Sequence, residues 1–164
     1  MAQKNYLAIF AKSFNWAGFF LPKKIYEDSA KLYAFCRVLD DIADEKTDLG
    51  SKIKRFDEMR NFLKKSYDAN NEEIYSSNEN KKVVHDVITL AKSKNIKKII
   101  LEDLIDGVAS DLKERIHIRS VKDLLVYSYR VAGTVGLMMS KILMVDNKRA
   151  VSYTHLRAHE TVSH

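Results

Sequence analysis

The sequence holds one proline and five glycines in 164 residues. All-β folds need both residue types at many turns, so this scarcity argues against a β architecture and leaves room for long helices. Cysteine occurs once, as Cys36, which excludes an internal disulfide and fits a reducing compartment. Residues 1–10 lack a long apolar run after their charges, so no secretory signal is read there. The most apolar stretch, residues 131–145, is broken by Ser140 and Lys141. It falls short of the ~20 apolar residues of a membrane span and reads as a core helix. There is no glycine-rich phosphate loop, no serine–histidine pairing and no paired-cysteine motif. Three of the five histidines fall in the last ten residues, and none has metal-ligand spacing.

What is present is an ordinary globular balance, 46% hydrophobic and 30% charged, at a length that supports one domain with a real core. The net charge of +6 comes from lysines scattered among acids and apolar residues, the pattern of solvated helix faces. Such a surface also attracts diphosphates or an acidic membrane. It lacks the zinc spacing, aromatic-basic strand or basic arm of a nucleic-acid binder, so no nucleic acid is expected as a partner.

Periodicity predicts a bundle of antiparallel helices around one core. Pro22 opens a helix over residues 24–45, with Ile25, Ser29, Leu32, Tyr33, Cys36 and Leu39 at helical spacing. Turn chemistry at residues 47–50 leads to a second helix over 51–67, with Ile53, Phe56, Met59, Phe62 and Leu63 on its apolar face. Residues 68–82 form a polar loop with a short helical turn near 72–75. Further helices are predicted over 82–93, 96–114 and 121–145.

The sharpest local feature is the run Asp40, Asp41, Ile42, Ala43, Asp44. Asp40 and Asp44 are four apart and Asp41 and Asp44 three apart, so all three carboxylates can converge on one helix face. Each like-charge pair opposes the helix by roughly 0.2–0.5 kcal/mol, and the nearby helix C-terminus disfavours anions further. A hard divalent cation would offset this. Mg²⁺ takes oxygen ligands, is often held by one or two carboxylates plus substrate phosphates, and can neutralise a leaving diphosphate. Arg37, one turn earlier, is placed to hold a phosphate oxygen. A solvated acidic helix end is the structural alternative.

A second feature is the segment from Tyr127 to Gly136, with Gly133 and Gly136 inside a helical pattern. Each glycine opposes a helix by about 1 kcal/mol relative to alanine, so close approach by a helix or ligand is expected here. Tyr127, Val131 and Val135 share a face, with Gly136 beside the last, and that face could line an apolar tunnel. Asp106, Gly107 and Asp111 recur in another helix, and spacing alone assigns them no chemistry.

Three stretches together resemble the squalene/phytoene synthase family: Lys12-Ser13-Phe14 with Leu21-Pro22 and residues 32–45 (LYAFCRVLDDIADE); Leu104 to Gly107 with Asp111-Leu112; and residues 127–138 (YSYRVAGTVGLM). The resemblance covers roughly residues 4 to 150. It implies an all-α, type I isoprenoid-synthase helical bundle, here limited to about its N-terminal half. It also implies a Mg²⁺-dependent prenyltransferase, with Mn²⁺ as an admissible substitute, that joins two prenyl diphosphates head-to-head through a cyclopropyl intermediate. Asp40, Asp41 and Asp44 match its first aspartate-rich motif and are the expected metal ligands. Arg37 and Tyr33 match residues around the diphosphate. Ser13 and Phe14 match a substrate-flanking motif, and Tyr127, Val131, Val135 and Gly136 match the prenyl-pocket wall.

The wording of the motifs favours phytoene formation from two geranylgeranyl diphosphates. Squalene or presqualene diphosphate formation is the alternative, and NADPH enters only on a squalene-forming route. Prenyl elongases and terpene cyclases share the aspartate run but lack the Ser-Phe and YxxxVAG contexts. A non-catalytic relative serving as an assembly protein would not need three converging aspartates. The expected location is the cytoplasm, with room for peripheral contact at the inner face of the membrane. The family's second aspartate-rich motif does not follow residue 145. Residues 1–150 are therefore assigned to the N-terminal part of the synthase domain, and the chain as written is expected not to complete the condensation alone. Residues 151–164 resemble translated sequencing-adapter DNA and are read as a non-native tail.

Overall fold

The computed structural model describes residues 16, 18, 20–68, 79–112 and 118–144. Among them every regular element is helical: α1 (Lys23–Asp44), α2 (Leu49–Asp68), α3 (Glu79–Ser93), α4 (Lys98–Ser110), α5 (Val121–Ser128), a π turn (Tyr129–Gly133) and α6 (Thr134–Ile142). The all-α expectation holds, and no strand occurs among the described residues.

Helix α1 starts directly after Pro22, whose φ of −53° suits helix entry and whose missing N–H is no loss there. It ends where Glu45 turns extended. The Lys52 ammonium donates to the Ala43 carbonyl at 2.5 Å, placing a cation on the free carbonyls at the α1 C-terminus. At the entry to α2 the Asp48 carboxylate accepts from the Ser51 N–H at 2.9 Å, which is the turn chemistry read at residues 47–50. Helix α3 closes in a Schellman arrangement. Asn95 takes a left-handed φ of 51°, and the Ile96 and Asn95 N–H groups reach the Ala91 and Lys92 carbonyls. The Tyr67 hydroxyl then donates to the Ile96 carbonyl at 2.7 Å and ties α2 to this corner.

The core lies where α1, α2, α3 and α4 meet. Leu32, Phe35, Leu39 and Ile42 supply the α1 stripe, Phe56 and Leu63 the α2 stripe, and Val84, Val87, Leu101 and Ile105 the facing stripes. Each such side chain, fully withdrawn from water, contributes roughly 1.5–3 kcal/mol. Two expectations are corrected. Ile53, read on the α2 apolar face, is exposed, because the buried stripe begins a turn later at Phe56. The predicted single helix over 121–145 is divided by the π turn. There the Thr134 N–H bonds the Tyr129 carbonyl, five residues back, while the Thr134 hydroxyl donates to the Arg130 carbonyl at 2.8 Å. An extra residue in one turn shifts the helical phase. Met138 and Ile142 of α6 accordingly enter the core, whereas α5 buries no residue and exposes Val121, Leu124 and Leu125. No described helix is long and apolar enough to cross a membrane.

Candidate functional site

The last two turns of α1 carry Asp40, Asp41 and Asp44 on the side opposite Val38, Leu39 and Ile42, whose burial orients the helix. All three aspartates are exposed, so they form an open face at the end of α1. Arg37 binds Asp41 across one turn at 2.7 Å. This pairing directs Asp41 sideways along the helix toward the guanidinium. Among the described residues no three of His, Cys, Asp or Glu stand close enough to hold a metal ion unaided. Convergence from helical spacing alone is therefore looser than the wheel implies.

A fourth carboxylate enters from another element. Asp111 caps the C-terminus of α4 and acts electrostatically on Asp40. Asp40 is pushed above the ordinary 3.8 by partial loss of hydration; Arg37 opposes that shift, while Asp44, Asp41 and Asp111 add to it. Asp111 also faces Tyr127. Loss of hydration, then a hydrogen-bonding interaction with Asp111, raises the phenol above the ordinary 10.0. The site thus joins the ends of α1, α4 and α5. Cys36, one turn below Asp40, is pushed up to about 12 by burial and then by Asp40 itself, so it is an inert packing residue and not a nucleophile.

The donor set is all oxygen, its carboxylates crowd one another, and the nearest cation, Arg37, is shared. This fits a hard divalent cation that completes its shell with water and phosphate oxygens. Asp41 is engaged by Arg37, so Asp40 and Asp44 are the α1 carboxylates placed to hold such a cation, and Asp41 would join them only by loosening its hold on Arg37.

The other predicted residues fall at different places. Tyr33 is half-buried on α1, one turn before Arg37. Tyr127 reaches the acidic site. Val135 packs against the core, and Val131 is half-buried in the π turn. Gly136 is exposed with no atom within 4 Å of an added Cβ, so among the described residues nothing approaches it closely. Gly133 meets the Tyr129 side chain of its own turn, at 3.1 Å. The close approach expected at these glycines occurs instead at Gly107, beside Arg130. Ser13 and Phe14 lie outside the described residues. Asp106 is drawn away from the site by Arg60 of α2, which holds it at 2.7 and 3.0 Å.

Asp111 is the site residue that sequence reasoning left without a role. Its signal was an uncompensated acid at a helix C-terminus, where the dipole disfavours it; only the packing of α4 on α1 shows what it faces.

The squalene/phytoene synthase family model matches residues 8–160. The chain belongs to the squalene/phytoene synthase family. The match runs past residue 150 into the tail that the sequence set apart, which lies outside the described residues. Among curated proteins, the chain is 28% identical over 152 residues to a bifunctional lycopene cyclase/phytoene synthase of Gibberella fujikuroi, covering 86% of this chain and 26% of the relative. It is 30% identical over 135 residues to the 15-cis-phytoene synthase of a Paracoccus species, covering 82% and 44%. It is 29% identical over 141 residues to the phytoene synthase of Rhodobacter capsulatus, covering 85% and 39%. The chain therefore spans less than half the length of each of these relatives.

Proposed function

We propose that the protein is a Mg²⁺-dependent prenyltransferase that condenses two geranylgeranyl diphosphates head-to-head to phytoene, and that the α1 carboxylates form one face of its diphosphate site. The observation that carries this reading is the open row of carboxylates on the last turns of α1, with Arg37 held to Asp41 at 2.7 Å beside them and Asp111 of α4 acting on Asp40 electrostatically. Membership of a family whose relatives here are named phytoene synthases supports the product. Mn²⁺ can replace Mg²⁺ at an all-oxygen site. No reductant is needed on this route.

Asp40 and Asp44 would hold the cation, whose chemistry there is to neutralise a departing diphosphate. The protein's own groups do the rest. The Arg37 guanidinium, steadied by Asp41, stands one turn away as a fixed positive fork for a phosphate oxygen. Loss of hydration, reinforced by Asp111, holds Tyr127 in its phenol form, so its hydroxyl remains a neutral group at the site mouth. The open position of the three aspartates admits a large anionic headgroup.

The test is product formation by the full-length protein from radiolabelled geranylgeranyl and farnesyl diphosphates with Mg²⁺. Phytoene from the longer substrate, lost on chelation and lost in Asp40→Asn, supports the reading. Turnover of farnesyl diphosphate alone shifts it to squalene or presqualene diphosphate formation. Turnover that survives both chelation and Asp40→Asn removes the metal role.

A further inference from the structure

Gly107 lies in the middle of α4, where a glycine opposes the helix by about 1 kcal/mol relative to alanine. It is buried, and its backbone meets the π turn at the closest crossing among the described glycines that involves another element's backbone. A Cβ added there would stand 2.8 Å from Arg130 Cβ, 3.0 Å from the Arg130 carbonyl carbon and 3.2 Å from its oxygen. Two of those three atoms are main chain, so a flexible side chain cannot yield to make room. The π turn that contains Arg130 is itself fixed from behind by the Thr134 hydroxyl on the Arg130 carbonyl.

The same two elements build part of the acidic site one turn further along. Asp111 follows Gly107 by four residues on α4, and Tyr127 precedes Arg130 by three on the opposing segment. Both spacings return to the same helix face. Gly107 lies beside Arg130 and the later Asp111 acts on the earlier Tyr127, so the two segments run in opposite directions and the turn after Gly107 lies against the turn before Arg130. That is where Asp111 and Tyr127 face each other, with Asp111 also acting on Asp40. The separation of the axes at Gly107 and Arg130 therefore sets the separation of Asp111 from Tyr127.

We propose that Gly107 is a positioning residue for the carboxylate site: by admitting the π turn to backbone contact it seats Asp111 against Tyr127 and beside Asp40. The inference rests on the reading of that site as a metal–diphosphate site. Interiors are close-packed, so a wedge at the crossing moves the helix and is not absorbed locally, and small misplacements of this kind are felt strongly by a pre-organised site.

The experiment is a double-variant cycle in the full-length protein on Gly107→Ala and Asp111→Asn. Two quantities are read for each variant: Mg²⁺-dependent binding of inorganic pyrophosphate by calorimetry, and kcat and KM with prenyl diphosphate. Gly107→Ala is expected to weaken pyrophosphate binding and lower kcat by about tenfold each. In the Asp111→Asn background it should cause no further loss, because the group it positions is already gone. Adding Arg130→Gly, which removes the nearest clashing atom, should recover part of the loss. Full binding and turnover in Gly107→Ala, or losses that multiply in the double variant, would overturn the proposal. If Gly107→Ala does not fold, Gly107→Ala with Arg130→Gly takes its place in the cycle under the same two criteria. Absence of pyrophosphate binding by the wild-type protein would instead overturn the metal–diphosphate reading, and so separates the two failures.

Discussion

Lys94, just past the end of α3, places its ammonium 3.2 Å from the carboxylate of Asp28 in the first turns of α1, and both side chains are largely buried. Lys31 stands on the other carboxylate oxygen at 3.9 Å. The contacted oxygen finds no well-aligned hydrogen bond, so charge and not direction holds the pair. This pair fastens the start of α1 to the Schellman corner, at the far end of α1 from the acidic site.

Lys94→Met leaves Asp28 buried beside a single, more distant cation. Breaking a buried pair from one side removes about 3 kcal/mol. Urea unfolding of the full-length protein should show a loss near this size, partly recovered by adding Asp28→Asn. A change within measurement error in Lys94→Met would mean that Lys31 alone suffices.

Asp44→Asn should abolish at least 99% of turnover, about a hundredfold, in keeping with loss of an electrostatic group at a reacting charge. The fold should be unaffected, because Asp44 is exposed and has like-charged neighbours. Surface changes of this kind stay within about 0.5 kcal/mol. Circular dichroism and product assays on one preparation check both halves. Wild-type turnover would dismiss Asp44 as a ligand.

Asp40 gives a pH dependence whose sign is fixed by its raised pKa. The folded chain holds this proton to a higher pH than the unfolded chain, which releases it near the ordinary 3.8. The resulting stability is fully present below that value and is lost as pH rises through the folded pKa. Asp40→Asn should remove this component. Asp48 and Asp123, which are lowered, act in the opposite sense, with stability lost as pH falls. They are common to both proteins and cancel in the comparison. Identical stability–pH curves for the two proteins, measured by denaturant titration across the acid range, would contradict the loss of hydration and the crowding at Asp40.

Helix α5 depends on its cap, since it buries no residue of its own. The Ser120 hydroxyl accepts from the Asp123 N–H at 3.1 Å, and the Asp123 carboxylate accepts from the Arg119 N–H at 3.0 Å. Ser120→Ala should destabilise the helix by about 1 kcal/mol. Hydrogen exchange should then speed up at residues 124–128 and stay unchanged in α1. Uniform exchange across both helices would point to global loss instead.

The sequence by itself determined the helical class, the starts of α1 and α2, and the aspartate run, because each is written in local chemistry. One proline opens α1, turn residues precede α2, and a 3.6-residue period marks the buried stripes. It also carried the family resemblance, which the family match bears out. Tertiary structure decided what no local rule holds. A π turn rephased the last helix, so that Met138 and Ile142 entered the core and Gly136 stayed open. Arg37 proved to be engaged with Asp41 at 2.7 Å. Asp106 and Asp111, five residues apart on one helix, went to different tasks, one to Arg60 and one to Asp40 and Tyr127. Their spacing turns them about 140° apart on the helix, and only the positions of α1 and α2 around α4 settle which partner each one meets.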